Sequence, residues 1–382
     1  MKAESRLLAL DVFRGITVAA MILVNDPGSW SAVYAPLCHA SWNGLTPTDL
    51  VFPFFMFIMG ISMYFSLRKY PSLFSKGVVT KIFRRAVLIF LVGLGINWFA
   101  LWFGSFMSMG NGAFTFWERF TQHIFPVADV RILGVLQRLA IAYLGGALLC
   151  LGIKPRYHLL TAVVILAGYF VILLVGDGFV RSENNIISVV DRAVFGARHL
   201  HGEWLPGGGR IAFDPEGLLS ALPCFAQVLL GAYAGRILVE VKENENRVSR
   251  LFILGTLLLF AGYLLSYACP VNKKIWSPTY VLITCGLASQ LFALLIYCID
   301  IKGYKRGCRF FEAFGVNPLF IYVCSEVIAI VLGYTLQDKI YTFVLASWLE
   351  PYFASLVYAL LYVMLNWGFA YILYKRRIYI KI

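Results

Sequence analysis

Asn25, His39, Trp42, Asn43 and Asp49 form the densest group of chemically useful residues in this 382-residue chain. A neutral imidazole can act as a general base near neutral pH. A nearby carboxylate would hold the required tautomer and stabilise the imidazolium. An Asn amide could donate to a developing oxyanion. His39, Asn25 and Asp49 are therefore the candidate catalytic set, with Trp42 and Asn43 as candidate substrate contacts. The plainer alternative is a surface-loop histidine and an Asp49 that only caps a helix. Cys38 is a rival nucleophile, but nothing in the sequence activates it.

A second group consists of charges inside apolar runs. Such charges are costly in a bilayer and default to functional hypotheses. Asp11 and Arg14 are three apart and share a helix face. They read as either a structural ion pair or a guanidinium facing a polar cofactor cavity. Arg131, Gln137 and Arg138 fall in RILGVLQRLAIAY. The two arginines, seven apart, share a face suited to a phosphate or carboxylate ligand; terminal snorkelling and a buried salt bridge are the alternatives. Asp214 and Glu216, in FDPEGLL, read as helix caps or as a site for a cationic sugar amine. His199, in HLHGEW, is a candidate substrate contact. His199, His201 and Glu203 have no diagnostic metal spacing, so no metal is expected. Asn317-Pro318 should break a helix and free backbone groups that need partners. Glu326, further along, is a charge without an obvious mate.

The elements that must position these residues are transmembrane helices. Hydrophobic residues make up 60% of the chain and charged residues 14%, against roughly 25% charged in soluble domains. Mean hydropathy is +0.76. These values exclude a water-soluble enzyme, a disordered chain and a disulfide scaffold. Runs of about 20 apolar residues, enough to cross a core of ~30 Å, predict ten spans: 7–25, 49–67, 86–103, 132–151, 157–176, 217–238, 251–269, 279–299, 310–334 and 352–374. The fold class is an all-α membrane bundle, read as one polytopic domain over 1–382.

The net charge of +13 reads as membrane topology rather than nucleic-acid binding. With alternating spans, 22 of the 33 basic residues fall on the N-terminal side and eight on the other. The positive-inside rule then places both termini in the cytoplasm. The loop carrying His39 and the longest loop, about 177–216, lie outside. The first apolar run carries Asp11 and Arg14, unlike a cleavable signal. The eight cysteines follow no disulfide or metal spacing. No small-residue interface motif of the GxxxG kind stands out.

Several strings together resemble one family. RLLALDVFRGITVAAMILVN, HASWNGLTPTDLVFPFFMFIMG, GVLQRLAIAY, FDPEGLL, VNKKIWSPTYVL and YILYKRRIYIKI are similar to the heparan-α-glucosaminide N-acetyltransferase family. The resemblance implies a membrane acyltransferase that takes acetyl from cytosolic acetyl-CoA and delivers it to an amino-sugar acceptor on the other side. It puts the family's active-site histidine at His39, its asparagine at Asn25 and its acid at Asp49. Asp11, Arg14, Arg131, Gln137 and Arg138 become candidates for the polar parts of CoA. It also implies dimers.

The chain departs from the animal pattern in two places. It shows no large N-terminal luminal domain. Its DPGSWSAVYAPLC stretch, between Asn25 and His39, replaces a glycine-aromatic run. The short form looks bacterial, with the acceptor site facing the periplasm from the inner membrane. Two other readings stay open: O-acetylation of an envelope polysaccharide, and secondary transport of a sugar or organic anion.

Overall fold

The computed structural model describes residues 7–70, 75–108, 115–121, 128–205 and 207–380. Among them, ten helices are long and apolar enough to cross a membrane. In chain order the helices are α1 (Leu8–Asn25), α2 (Val51–Leu67), α3 (Lys76–Ser108), α4 (Phe116–Thr121), α5 (Val135–Gly152), α6 (His158–Val175), α7 (Ile186–Phe195), α8 (Leu222–Glu240), α9 (Asn244–Leu265), α10 (Pro278–Leu295), α11 (Cys308–Val316), α12 (Pro318–Thr335), α13 (Gln337–Lys339) and α14 (Pro351–Lys375). The protein is an integral membrane helical bundle. A helix of about 20 residues spans about 30 Å, the depth of the hydrocarbon core. At 33 residues, α3 reaches about 50 Å and overshoots it.

Proline and cap chemistry start several spans. Ser277 accepts from the Tyr280 N–H ahead of Pro278, and Glu350 accepts from the Phe353 N–H ahead of Pro351. Each places proline in the first turn, where its missing N–H costs nothing. α8 is the most enclosed span, with 72% of its apolar window buried, against 17% for α3. α8 packs on α2, α5 and α6, while α1 packs on α2 and α11.

Glycines permit the closest approaches. A Cβ on Gly60 of α2 would lie 2.2 Å from the Val228 carbonyl oxygen, and one on Gly231 of α8 would lie 2.2 Å from that of Phe57. Gly231 and Gly235 do form a GxxxG string. This corrects the sequence reading that found none, but the string is used inside the protein, on α2. There the small residues let two backbones touch, as Gly15 and Gly315 do between α1 and α11.

The ninth predicted span needs correction. Residues 310–334 are not one crossing helix. α11 is a separate nine-residue helix against α1, and α12 alone is long enough to cross. The break falls at Asn317-Pro318 because proline cannot continue the ladder. The Asn317 side chain donates to the Ile378 carbonyl at 2.8 Å and accepts from the Ile380 N–H at 2.8 Å. The C-terminal segment thus docks on the break.

The long polar loop is ordered. It contains α7 and an antiparallel pair, β1 (Gly202–Trp204) and β2 (Arg210–Ala212), in the register Gly202↔Ala212. By chain alternation, this loop shares one end of the bundle with the C-terminal end of α1 and the segment 26–50. That end is called the histidine end here. The opposite, basic end carries the N-termini of α1 and α3 and the α11–α12 break.

Candidate active site

The segment between α1 and α2 folds back on itself through one carboxylate. Asp49, 1% exposed, accepts from the Ala40 and Thr46 backbone N–H groups, each at 3.1 Å, and from the Thr46 hydroxyl at 3.0 Å. Thr46 and Asp49 form a capping box on the turn that opens α2. Asp49 thus serves the turn as the N3 partner of the N-cap Thr46 rather than as the N-cap itself, and the same carboxylate also reaches His39. His39 Nδ1 lies 2.7 Å from Asp49 Oδ1. A carboxylate only accepts, so in the tautomer that pairs with Asp49, Nδ1 carries the hydrogen and Nε2 keeps its lone pair. The His39 side chain is 47% exposed.

A third member was not singled out from sequence. Lys273, in the segment before α10, places Nζ 3.4 Å from Asp49 Oδ1 and 3.0 Å from His39 Nδ1. Burial pulls its ammonium below the ordinary range, against the opposing pull of Asp49. Asn272 holds the same segment to the His39 loop by donating to Asn43 Oδ1 at 3.1 Å. Tyr280 donates to the Asp49 carbonyl at 2.6 Å. A usable signal was present: adjacent lysines on the side with few basic residues.

Beside this group lies a carboxylate clamp. Arg131 is gripped by both oxygens of Asp214, at 2.9 and 2.5 Å, and by Glu216 at 2.5 Å. Burial opposes the Arg131 charge, but Glu216 and Asp214 more than restore it. Burial likewise opposes both carboxylate charges, and Arg131 outweighs it. Asp214 and Glu216 precede the helical turn Leu219–Ala221 and do not cap α8. They fix Arg131, which leaves little of its guanidinium for a phosphate.

Arg138, fully buried, donates to Ser220 and to the Gly217 carbonyl and lies 4.7 Å from the Trp276 ring centre. Its Nε and Nη1, like Gln137 Nε2, have no hydrogen-bond partner among the described residues. These three candidates therefore sit in the wall of the histidine end rather than at the basic end.

The remaining candidates separate. Trp42 donates to the Phe179 carbonyl at 3.0 Å and packs edge-on against Phe213, which pins its loop to the long loop. Asn43 is exposed. His199 bonds through Nδ1 to the Val130 carbonyl at 2.8 Å, holding the approach to α5. Asn25 makes no hydrogen bond to His39 or Asp49 among the described residues; it reaches Glu326 of α12, which also meets Tyr322. Glu326 therefore has mates that the sequence did not reveal.

Asp11 and Arg14 pair at 3.1 Å, and Arg14 also donates to Ser62 at 2.8 Å and to the Gly315 carbonyl at 3.2 Å. Arg14 is paired, as one sequence reading expected, and it also lines a cavity. That cavity, about 670 Å³, opens among α1, α2, α3, α5 and the α11–α12 break. Its lining includes Arg14, Ser62, Lys81, Arg84, Arg85 and Tyr143. The Arg85 guanidinium sits 5.0 Å from the Tyr143 ring centre. A narrow apolar crevice shares Phe55, Leu139 and Leu319 with it and continues to Met21, Phe52, Val135 and Tyr322. Met21 is one helical turn from Asn25, and Phe52 three residues from Asp49. The crevice thus runs from the basic cavity toward the histidine end. Lys81, Arg84 and Arg85 entered the sequence reading only as topology charges, because which face of α3 they occupy depends on its neighbours.

The family model described as "Heparan-alpha-glucosaminide N-acetyltransferase, catalytic" matches residues 6–269. The mouse (Mus musculus) protein named heparan-alpha-glucosaminide N-acetyltransferase is 27% identical, over 100% of this chain and 61% of its own length. The human (Homo sapiens) protein of that name is 28% identical, over 99% of this chain and 60% of its own length. The chain thus spans about three fifths of the relatives it matches.

Proposed function

We infer that this chain, which belongs to the heparan-alpha-glucosaminide N-acetyltransferase family, is a transmembrane acetyltransferase. It takes acetyl-CoA at its basic end and acetylates the amine of a glucosaminide at its histidine end. The observation that carries the reading is that two chemically opposite features occupy opposite ends of the same helices. A basic cavity lies at one end, an imidazole–carboxylate pair lies at the other, and an apolar crevice runs between them.

The cavity suits the nucleotide. Arg14, Lys81, Arg84 and Arg85 supply positive charge, and arginine forks match phosphate oxygens. Its volume of about 670 Å³ falls in the usual range for ligand sites, roughly 300–1,000 Å³. The apolar crevice marks the direction for the uncharged arm that carries the thioester, and at about 10 Å³ it has to widen to admit that arm. The concentration of basic residues at the cavity end supports a cytoplasmic placement for it. The group crosses as an acyl unit while the charged nucleotide stays on its own side.

At the histidine end, His39 Nε2 takes the proton from the acceptor amine, and Asp49 steadies the imidazolium through Nδ1. An amide hydrogen of Asn25 serves the thioester carbonyl. A His39 that carries the acetyl group itself would use the same geometry. Rapid-quench detection of an acetylated His39 peptide would identify that route.

The test is transfer by purified protein in detergent from labelled acetyl-CoA to glucosamine, beside His39→Ala. Labelled N-acetylglucosamine from the wild type alone supports the reading. Acetyl-CoA binding without transfer to the amine, but with transfer to a hydroxyl of N-acetylglucosamine, replaces it with O-acetylation. Failure to bind acetyl-CoA overturns it in favour of transport.

A further inference from the structure

Asp49 is buried, and a buried carboxylate requires a balancing cation. Two neighbouring groups can supply it: His39, by becoming imidazolium, and Lys273. Lys273 is better suited. Its Nζ is 3.4 Å from Asp49 Oδ1, and an ordinary lysine keeps its proton far above the pH at which imidazole loses one; burial pulls Lys273 down from there and Asp49 pulls it back up. It is also 3.0 Å from His39 Nδ1 and 3.4 Å from Nε2, so an imidazolium there would face a cation at contact distance. We propose that Lys273 is a positioning residue that carries the charge balancing Asp49, and so keeps His39 a free base. The proposal rests on the acetyltransferase reading only for what the free base is used for.

The charges around the pair are few. Asp49 comes from the turn before α2, and Lys273 from the segment before α10. Behind Lys273, Glu216 from the long loop and Arg138 from α5 oppose each other in their effect on it. Thr46 and Asn43 are neutral. Among the described residues, taking Lys273 away leaves Asp49 as the only full charge touching the imidazole. The proton on His39 is then favoured by a carboxylate at 2.7 Å. Charges at such distances move a neighbour's titration by roughly one to three pH units. Lys273 lies beyond residues 6–269, which the family model matches.

The experiment does not depend on acetyl transfer. Diethyl pyrocarbonate acylates neutral imidazole, so the pH at which the His39 peptide becomes half-reactive reports its proton. Peptide mass spectrometry separates His39 from the other four histidines. Lys273→Met should raise the midpoint by about one to two pH units, and Lys273→Arg should leave it near the wild-type value. Lys273→Gln stands in if the Met variant does not fold, as judged by its melting curve. An unmoved midpoint in both neutral variants overturns the proposal. If acetyl transfer is absent from the wild type while the midpoint still moves, the function falls and Lys273 keeps its role. If both hold, the low-pH limb of acetyl transfer should move with the labelling midpoint.

Discussion

Asp49→Asn is the sharpest perturbation, because the neighbours of the side chain dictate how an amide must sit. Oδ2 receives two backbone N–H groups at 3.1 Å, which cannot rotate. An Asn must therefore point its oxygen there, since the opposite orientation would set donors against donors. Its NH₂ then faces His39 and donates to Nδ1. The imidazole is forced into the other tautomer, with the hydrogen on Nε2 and no lone pair for the acceptor. Lys273 loses its counter-charge at the same time. A wrong tautomer in a comparable pair costs roughly 10⁴-fold, so a loss of about 10³- to 10⁴-fold is expected, or about 4–5 kcal/mol of barrier. The assay is the initial rate of glucosamine acetylation, beside acetyl-CoA binding and a melting curve. The binding cavity is at the far end of the bundle, so binding should persist. The double variant with His39→Ala should be no slower than His39→Ala alone, because the two act as a unit. A folded Asp49→Asn protein within tenfold of the wild-type rate would refute the reasoning.

Other outcomes follow from other parts of the molecule. Arg84→Ala with Arg85→Ala should raise the KM for acetyl-CoA about tenfold, or about 1.4 kcal/mol, with kcat little changed and the difference shrinking at high salt; an unchanged KM would remove the nucleotide from that cavity. Gly60→Val should lower the melting temperature, because even its Cβ would meet the Val228 carbonyl oxygen at 2.2 Å; overpacking of this kind costs about 1–3 kcal/mol or more. Burial, the largest influence on Asp191, lifts its carboxyl to about 6, and one of its oxygens has no hydrogen-bond partner among the described residues. The folded protein holds that proton more tightly than the unfolded chain does. Its contribution is therefore full below about pH 4 and is lost as pH rises through 6, by up to about 3 kcal/mol. Asp191→Asn should flatten this fall, so melting temperatures of the two proteins measured from pH 4 to 7 should diverge as pH rises; parallel curves would contradict the burial argument.

The sequence alone determined the membrane bundle, because helices in lipid must satisfy their own backbone and so need long apolar runs that can be counted. It determined which helix ends share a side, because the spans alternate and the basic residues cluster. His39 and Asp49 were legible together because only ten residues separate them, and the capping box lies in the letters TPTD. Arg14 was legible because a charge in an apolar run needs a reason.

What the tertiary structure decided depends on contacts far apart in the chain. Lys273 reaches His39 across 234 positions. Arg131 looked like a ligand arginine until Asp214 and Glu216 closed on it from 83 and 85 residues away. Trp42 and His199 proved to hold loops together through backbone carbonyls, partners that carry no sequence signature. The basic residues of α3 became a cavity wall only when α2, α5 and the break at Asn317-Pro318 enclosed them. Side-chain type and spacing along one helix fix a face, but packing against other helices decides what that face meets.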